Sequence, residues 1–433
     1  MFELFQSILI VVLITVNCYF PEKYYSYLTA SNNSKHSLIS QLSLGIIVHI
    51  FSLLILSFLT LLSEKIIFFY FIILFVHNLF FIIKEKIKNF KFELETFFLF
   101  FVIFIITIYF FNNFKIGWDA QNYWVTKALT IYNDSSIVNL KYTTRPEYPH
   151  LGSFIWSFYI ELSFIKNEIF GRIFYIYFFC LCLISISKIL SKNKLQNLIF
   201  YSFLILICFK NSLFNGYQEV LIFSLFVFIT KEFYLYFNNK SQNDLSGLLI
   251  IIFSCFSMSW IKSEGMIFAL LFLLTLFFYF SSHKKKQLLL ALSAIAIILS
   301  KYLYLQFIDI NSSFQSGNYE LFSLVNLAEY ITFDRFFMII KYFIFGIFQN
   351  IALLASILTL PFLIKNKKDF IFLKYHFLFF LLCFLFIFSA YIFTNIPLEF
   401  HLKNSIDRLF FQISGFFIIF LFMIYNKLKN RIS

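Results

Sequence analysis

Long apolar runs, separated by short polar segments, cover almost the whole chain. Most of these runs approach the ~20 residues with which an α-helix crosses a bilayer. We count thirteen candidate spans, at 5–20, 40–61, 66–83, 93–111, 167–188, 196–210, 217–237, 246–262, 265–281, 288–307, 343–364, 374–394 and 407–427. The runs are continuous in Leu, Ile and Phe, whereas the strands of a membrane β-barrel alternate apolar and polar residues. The pattern therefore predicts an all-α, multi-pass transmembrane helical bundle of about thirteen spans.

Clusters of Lys and Arg between the spans predict the orientation of the helical bundle in the membrane. They lie at 84–91, 188–194, 284–286, 365–368 and 427–431. Each cluster follows an even number of crossings from the previous one, so all of them can face the cytoplasm together. The segments on the opposite, outer face are then 112–166, 211–216, 262–264, 308–342 and 395–406.

The chain is expected to form a single integral membrane domain over residues 1–433, with two long outer loops at 112–166 and 308–342. Each loop contains an apolar or amphipathic stretch, 154–159 in the first and 334–337 in the second. Both stretches are too short or too charged to span a bilayer. We therefore expect amphipathic helices that lie along the membrane interface.

Composition and charge exclude several classes of protein. Hydrophobic residues make up 61% of the chain and charged residues 13%, against about 25% charged in soluble proteins, which excludes a soluble enzyme and a disordered protein. The net charge of +13 comes from Lys clusters between spans, so nucleic-acid binding is not expected. All six Cys lie inside apolar runs, which indicates neither a disulfide framework nor a zinc site.

The first candidate site lies at residues 117–124, where Asp119 precedes a stretch with helical periodicity. Spacing alone favours Asp119 as an N-cap, since Asp commonly satisfies the free N–H groups at a helix start. An Asp can cap a helix and also act as a base. The aromatic residues Trp118, Tyr123 and Trp124 beside it would suit a sugar substrate, the two Trp by stacking on its ring.

A second group closes the first outer loop at residues 145–152. Two prolines restrict the backbone here. Glu147 lies between them, and Arg145 and His150 flank them on either side. A stiff surface turn at the membrane entry explains these residues as well as a binding role does.

A third group lies between two spans, where Lys262 and Glu264 flank a short turn. Solvated charges are ordinary in such a turn, but Lys262 is not needed for orientation on the outer face. Glu219 starts another span at the same predicted depth, and an ordinary span boundary is the simpler explanation for it. Ionisable groups at the membrane edge are nevertheless functional candidates.

The fourth group enters the last span at residues 401–412. Asp407 would suit a helix cap, and Arg408 would suit snorkelling to the interface. Arg408 beside His401 also fits phosphate recognition, for which a guanidinium is well shaped.

These four motifs, at 118–124, 147–151, 262–265 and 401–412, resemble those of the C-type superfamily of multi-pass membrane glycosyltransferases. The likeness is to the group of dolichyl-phosphate-mannose mannosyltransferases and lipid A aminoarabinose transferases. It implies that Asp119 is the catalytic base, that residues 147–150 line the same cavity, and that the donor sugar is carried on a polyprenyl phosphate. Many members have a second acidic residue beside this Asp. Here Ala120 follows it, so the resemblance implies neither paired carboxylates nor a metal for this chain.

The sequence thus predicts an inverting glycosyltransferase of the plasma or inner membrane, with its site on the non-cytoplasmic face. Asp119 would deprotonate an acceptor hydroxyl on a glycan, lipid or protein. Lys262 and Arg408, with Arg145 and His401 as second choices, would stabilise the departing lipid phosphate. No cofactor is expected, and no residue pattern indicates a divalent metal. The alternatives are a polysaccharide polymerase or ligase, a transporter of lipid-linked sugars, and a non-catalytic membrane subunit.

Overall fold

The computed structural model describes residues 2–24, 37–59, 66–86, 93–189, 193–238, 245–308, 331–363, 367–394 and 396–432. Every regular element in these ranges is a helix, and they contain no strand. The prediction of an all-α membrane protein is confirmed at this level. Most of the second predicted outer loop, residues 309–330, lies outside the described residues, as do Lys88, Lys91, Lys192 and Lys365 of the Lys clusters.

The chain divides into two compact units, Met1–Gly265 and Met266–Ser433. The single domain expected from the sequence stays a prediction.

The helices up to residue 261 are α1 (Phe2–Asn17), α2 (Leu38–Leu59), α3 (Ile66–Lys86), α4 (Leu94–Asn112), α5 (Val125–Asp134), α6 (Leu151–Glu161), α7 (Glu168–Gly171), α8 (Ile173–Ser187), α9 (Lys194–Cys208), α10 (Glu219–Asn238) and α11 (Leu245–Ile261). Those that follow are α12 (Ser263–Tyr279), α13 (Lys284–Phe307), α14 (Phe333–Gln349), α15 (Ile351–Leu363), α16 (Lys367–Ile392), α17 (Leu398–Phe417) and α18 (Ile419–Ile432).

Within the described residues, eight helices are long and apolar enough to cross a membrane, or up to ten if two bent helix pairs each form one span. Three shorter apolar helices, α9, α11 and α12, have 15 to 17 residues. They fall short of the ~20 residues typical of a spanning helix. The expected count of about thirteen spans is therefore not confirmed.

Helices α4, α8, α9 and α10 of the first unit run in alternating directions, as contacts at both ends demonstrate. At one end, Arg172, just before α8, donates to the carbonyls of Lys115, after α4, and Phe214, before α10. At the other end, Glu95 at the start of α4 lies 3.4 Å from Lys188 after α8 and accepts from Asn197 of α9. We call the end at which Arg172 lies the site end. Residues 113–117, which lead to the candidate base Asp119, meet residues 211–218 there.

The two expected interfacial helices are not confirmed. Residues 151–160 of α6 are all buried inside the first unit, although the same run was expected on the membrane surface. Leu, Ile, Phe and Trp lie on every side of this helix, which is typical of a buried helix and not of an amphipathic one. In the second unit, Asp334 and Arg335 begin α14, which continues to Gln349 and then bends by 93° into α15.

Candidate active site

Asp119 lies in the first helical turn after α4, at the site end of the first unit. The Gly117 N–H donates to the Asn215 carbonyl at 2.8 Å, and the Gln121 N–H donates to the Gly117 carbonyl at 2.8 Å, so helix formation begins at Gly117. Asp119 itself has helical dihedrals and is half-buried, and its side chain makes no capping hydrogen bond to the turn that follows. The cap therefore does not account for this carboxylate.

The turn that follows Asp119 is a π-helix over Ala120–Trp124. The Val125 N–H donates to the Ala120 carbonyl, five residues earlier. Ser153 of α6 donates to the Trp124 carbonyl at 2.9 Å, which ties this wide turn to a buried helix. Short π-helical segments are rare and frequently occur at functional sites. The π-helical turn therefore makes the segment next to Asp119 a candidate functional site. Nothing in the amino-acid pattern indicated this turn.

Three aromatic rings form a continuous surface beside Asp119. Trp118 is 66% exposed, and its ring centroid lies 5.9 Å from that of Tyr123. Tyr123 in turn lies 5.9 Å from Tyr148. Trp124 is buried and packs on Tyr148 from inside. Of the two tryptophans expected to stack on a sugar, only Trp118 has an accessible face.

The segment 215–219 packs directly against the start of this helix. A Cβ atom on Gly117 would lie 2.3 Å from the Tyr217 ring, so any side chain there would displace this ring. Gly216 has a φ of +87°, a conformation that favours glycine, and a Cβ there would meet Trp156 and Ala120. Two separate loops are therefore held in close contact next to Asp119.

The turn at Arg145–Tyr148 also belongs to this end of the unit. Arg145 has a φ of +57°, which is costly for a residue with a side chain and recurs at functional sites. Its guanidinium lies 3.6 Å from the Glu147 carboxylate. Lys127 is fully buried and donates a hydrogen bond to the Tyr148 carbonyl at 2.8 Å, which holds the turn against the interior of the first unit.

His150 points into the first unit and is fully buried. Its Nε2 lies 2.9 Å from the Ser57 hydroxyl, and its ring lies 5.2 Å from that of Trp260 at the end of α11. His150 therefore connects the closing motif of the first outer loop to the segment that carries Lys262. Its position is that of an interior polar group and not of a displayed one.

Lys262 lies between two carboxylates. Its Nζ is 2.9 Å from Glu219 Oε1 and 3.2 Å from Glu264 Oε1. Lys262 and Glu219 are buried, whereas the Glu264 side chain is 32% exposed. Two carboxylates therefore face one ammonium group, an arrangement that disfavours an anionic ligand at Lys262. Both of these contacts of Lys262 are ion pairs within the protein.

His401 and Arg408 lie on α17 in the second unit. His401 Nδ1 is 2.9 Å from the Thr394 hydroxyl, and the Ser405 and Tyr391 hydroxyls are 2.7 Å apart. Residues 401, 405, 408 and 412 follow one another at helical spacing and form a polar stripe. At its inner end Gln412 is fully buried, and its side-chain amide has no hydrogen-bond partner among the described residues.

Two buried cations at the site end were not anticipated from the sequence. Lys127 and Arg172 both have exposed fractions of 0% and donate to backbone carbonyls of site loops. The spacing of Glu168 and Arg172, four residues apart at the start of a span, was the one available signal for the second. Lys127 offered none, because it stands among residues of mixed polarity.

Among the described residues, no three or more His, Cys, Asp or Glu side chains are grouped as metal ligands would be. Comparison with protein-family models, with curated proteins and with solved structures found no match. The resemblance to the C-type glycosyltransferases therefore stays a prediction.

Proposed function

We propose that this protein is a membrane glycosyltransferase that moves a sugar from a polyprenyl phosphate to an acceptor hydroxyl. The observation that carries this proposal is the half-buried carboxylate of Asp119. It follows a tight glycine contact, precedes a π-helical turn and adjoins an exposed tryptophan. A carboxylate beside an open aromatic face suits a sugar hydroxyl, and it suits an apolar or purely anionic ligand less well.

The proposed reaction is a single inverting displacement. Asp119 takes the proton of the acceptor hydroxyl as its oxygen forms a bond to the anomeric carbon. The bond from that carbon to the phosphate oxygen breaks, and the polyprenyl phosphate leaves with the electron pair. Trp118, with Tyr123 behind it, would hold a sugar ring against the carboxylate.

The leaving phosphate needs a cation, and the contacts of the candidates differ. Lys262 is enclosed by Glu219 and Glu264, so we no longer assign it to the phosphate. The Arg145 side chain lies 3.6 Å from Glu147 and is about one quarter exposed, so a ligand can reach it, and it is the better candidate in the first unit. Roles for Arg408 and His401 toward the same phosphate stay predictions, since both belong to the second unit.

We place the reaction on the non-cytoplasmic face of the plasma or inner membrane, in a chain of about thirteen spans. What supports one common side is that segments 113–117, 211–218 and 262–264 all contribute to the site end of the first unit. Reporter fusions after residue 140 and after Lys403 are expected to read as non-cytoplasmic. Fusions after Lys88, Lys286 and Lys429 are expected to read as cytoplasmic. A cytoplasmic reading at residue 140 would contradict the outer-face site.

The activity itself is tested with the full chain in membrane vesicles of the expressing cells, which supply acceptors. Radiolabelled polyprenyl-phosphate glucose, mannose and arabinose serve as donors, and release of free polyprenyl phosphate is measured against vesicles without the protein. Release above that background with at least one donor is the expected result. No release with any of them would contradict the proposal.

Trp118→Ala is expected to raise KM by roughly two- to tenfold with little change in kcat, because ring contacts contribute about 0.5–1.5 kcal/mol of binding. Trp118→Phe should retain most of the affinity. Tyr142→Ala is the matched control, since Tyr142 is 77% exposed in the same loop and lies outside the aromatic surface beside Asp119. An unchanged KM in Trp118→Ala would remove the sugar-stacking role.

A transporter of lipid-linked sugars is the second candidate, favoured by the second unit. There α14 and α15 meet at 93°, and α17 and its continuation Ile419–Tyr425 meet at 42°. Broken helices of this kind often surround transporter binding sites. The donor assay separates the two functions, because a transporter would leave the sugar–phosphate bond intact.

A further inference from the structure

We propose that Arg172 is a positioning residue for this reaction. The inference rests on the proposed role of Asp119 as base. Arg172 is fully buried at the site end of the first unit. Its guanidinium joins the loop that leads to Asp119 to the loop that leads to Tyr217, and so determines where the Asp119 carboxylate stands.

A single nitrogen of Arg172, Nη1, connects the two loops. Arg172 Nη1 donates to the Lys115 carbonyl at 3.0 Å and to the Phe214 carbonyl at 2.9 Å. Lys115 stands two residues before Gly117, whose N–H bonds to the Asn215 carbonyl at 2.8 Å. One hydrogen bond thus joins the two loops directly, and Arg172 bridges them with one hydrogen bond to each loop.

The remaining donors hold the guanidinium in one orientation. Arg172 Nε and Nη2 donate to the two carboxylate oxygens of Glu168 at 3.0 and 2.7 Å. The rings of Phe110 and Phe114 cover the guanidinium, with centroids 4.7 and 4.4 Å from Cζ. A planar, five-donor fork can serve a bidentate carboxylate and two carbonyls at the same time, whereas an ammonium cannot.

The position of Asp119 follows from this arrangement. The helix that carries Asp119 starts at Gly117, which bonds to the Asn215 carbonyl, follows Lys115 by two residues and packs on the Tyr217 ring. A base must lie within hydrogen-bond reach of its proton, and a misplacement of about 1 Å can cost on the order of 10²-fold in rate. Loss of the Arg172 contacts should therefore lower kcat and leave KM for the donor nearly unchanged.

Arg172→Lys tests the inference in the full chain, reconstituted in lipid nanodiscs. Hydrogen exchange of the peptide that contains Gly117 and Gln121 reports on the loops without reference to activity. We expect exchange there to accelerate by about tenfold, since charge-assisted hydrogen bonds to Lys115 and Phe214 are lost. In the donor assay, kcat should fall by on the order of 10²-fold at a constant KM. Lys188→Gln, which alters an ion pair at the opposite end of α8, is the matched control and should change neither measurement.

Phe114→Leu is a milder second variant in case Arg172→Lys folds poorly. It uncovers the guanidinium and leaves every hydrogen bond of Arg172 in place, so exchange and kcat should move in the same directions by smaller amounts. Unchanged exchange at Gly117 and Gln121 in both variants would overturn the loop connection. Faster exchange with an unchanged kcat would overturn the positioning role.

These failures differ from a failure of the proposed function. If Asp119→Asn turns over the donor normally while Arg172→Lys lowers kcat, the base assignment is wrong and the loops position another group. If no variant and no wild-type protein releases polyprenyl phosphate, the glycosyltransferase proposal fails. The exchange measurement then still decides whether Arg172 joins the loops.

Discussion

Asp119→Asn is expected to lower the release of polyprenyl phosphate by about 10²–10⁴-fold, the usual loss when a general base is removed. The amide has nearly the shape of the carboxylate and cannot take a proton at neutral pH. Asn is also as good an N-cap as Asp, so any structural role at the helix start is preserved. The variant should therefore insert into the membrane and fold like the wild type.

Asp134→Asn is the matched control, because Asp134 ends the same helical segment and its carboxylate accepts a local hydrogen bond from Asn139 at 3.0 Å. Its turnover should equal that of the wild type. Near-normal turnover in Asp119→Asn would return Asp119 to a structural role. A polysaccharide polymerase or ligase, which needs no such base, would then be the better proposal.

Lys262→Met is expected to lower the free energy of unfolding by about 3–5 kcal/mol, because it leaves the buried Glu219 carboxylate without its 2.9 Å partner. Met preserves most of the side-chain length and apolar contact of Lys. Unfolding by SDS titration in bicelles measures the loss. Glu264→Gln should change the free energy of unfolding little, since the Glu264 side chain is 32% exposed and solvated.

The double variant Lys262→Met/Glu219→Leu separates pairing from ligand binding. Replacing both members of a buried ion pair by apolar residues is often neutral for stability, so the double variant should recover most of the loss. If it is stable and turns over the donor, Lys262 serves the fold. If it is stable and inactive, one of the two residues also contacts substrate. Wild-type stability in Lys262→Met would contradict the ion-pair assignment.

Much of the architecture could be predicted because it depends on local properties of the chain. A run of about twenty apolar residues has few stable alternatives to a membrane helix, whatever lies elsewhere in the sequence. The segments that carry Asp119, Glu219 and Lys262 were found in the same way, as charges next to such runs. Their meeting at one end of the first unit follows from helices that alternate in direction.

Hydrophobicity alone could not predict that protein, and not lipid, surrounds α6. Residues 154–159 were expected at the membrane surface, and the structure encloses them in protein. Lipid tails and protein interiors are similarly apolar, so the hydrophobicity of a side chain does not indicate which of the two surrounds it. The burial of His150 could not be predicted either, because its neighbours Ser57 and Trp260 come from other helices.

The sequence by itself determined the membrane class, the helical secondary structure and the positions of the charged groups between helices, because each of these depends on a few consecutive residues. Only the tertiary structure decided the partners of those charges. Glu219 and Lys262 are 43 residues apart, and Arg172 and Lys115 are 57 apart. Whether a cation is enclosed by carboxylates, bonded to loop carbonyls or left for a substrate depends on how distant helices pack. That packing placed Lys262 beside two carboxylates and Arg172 between the loops at the site end of the first unit.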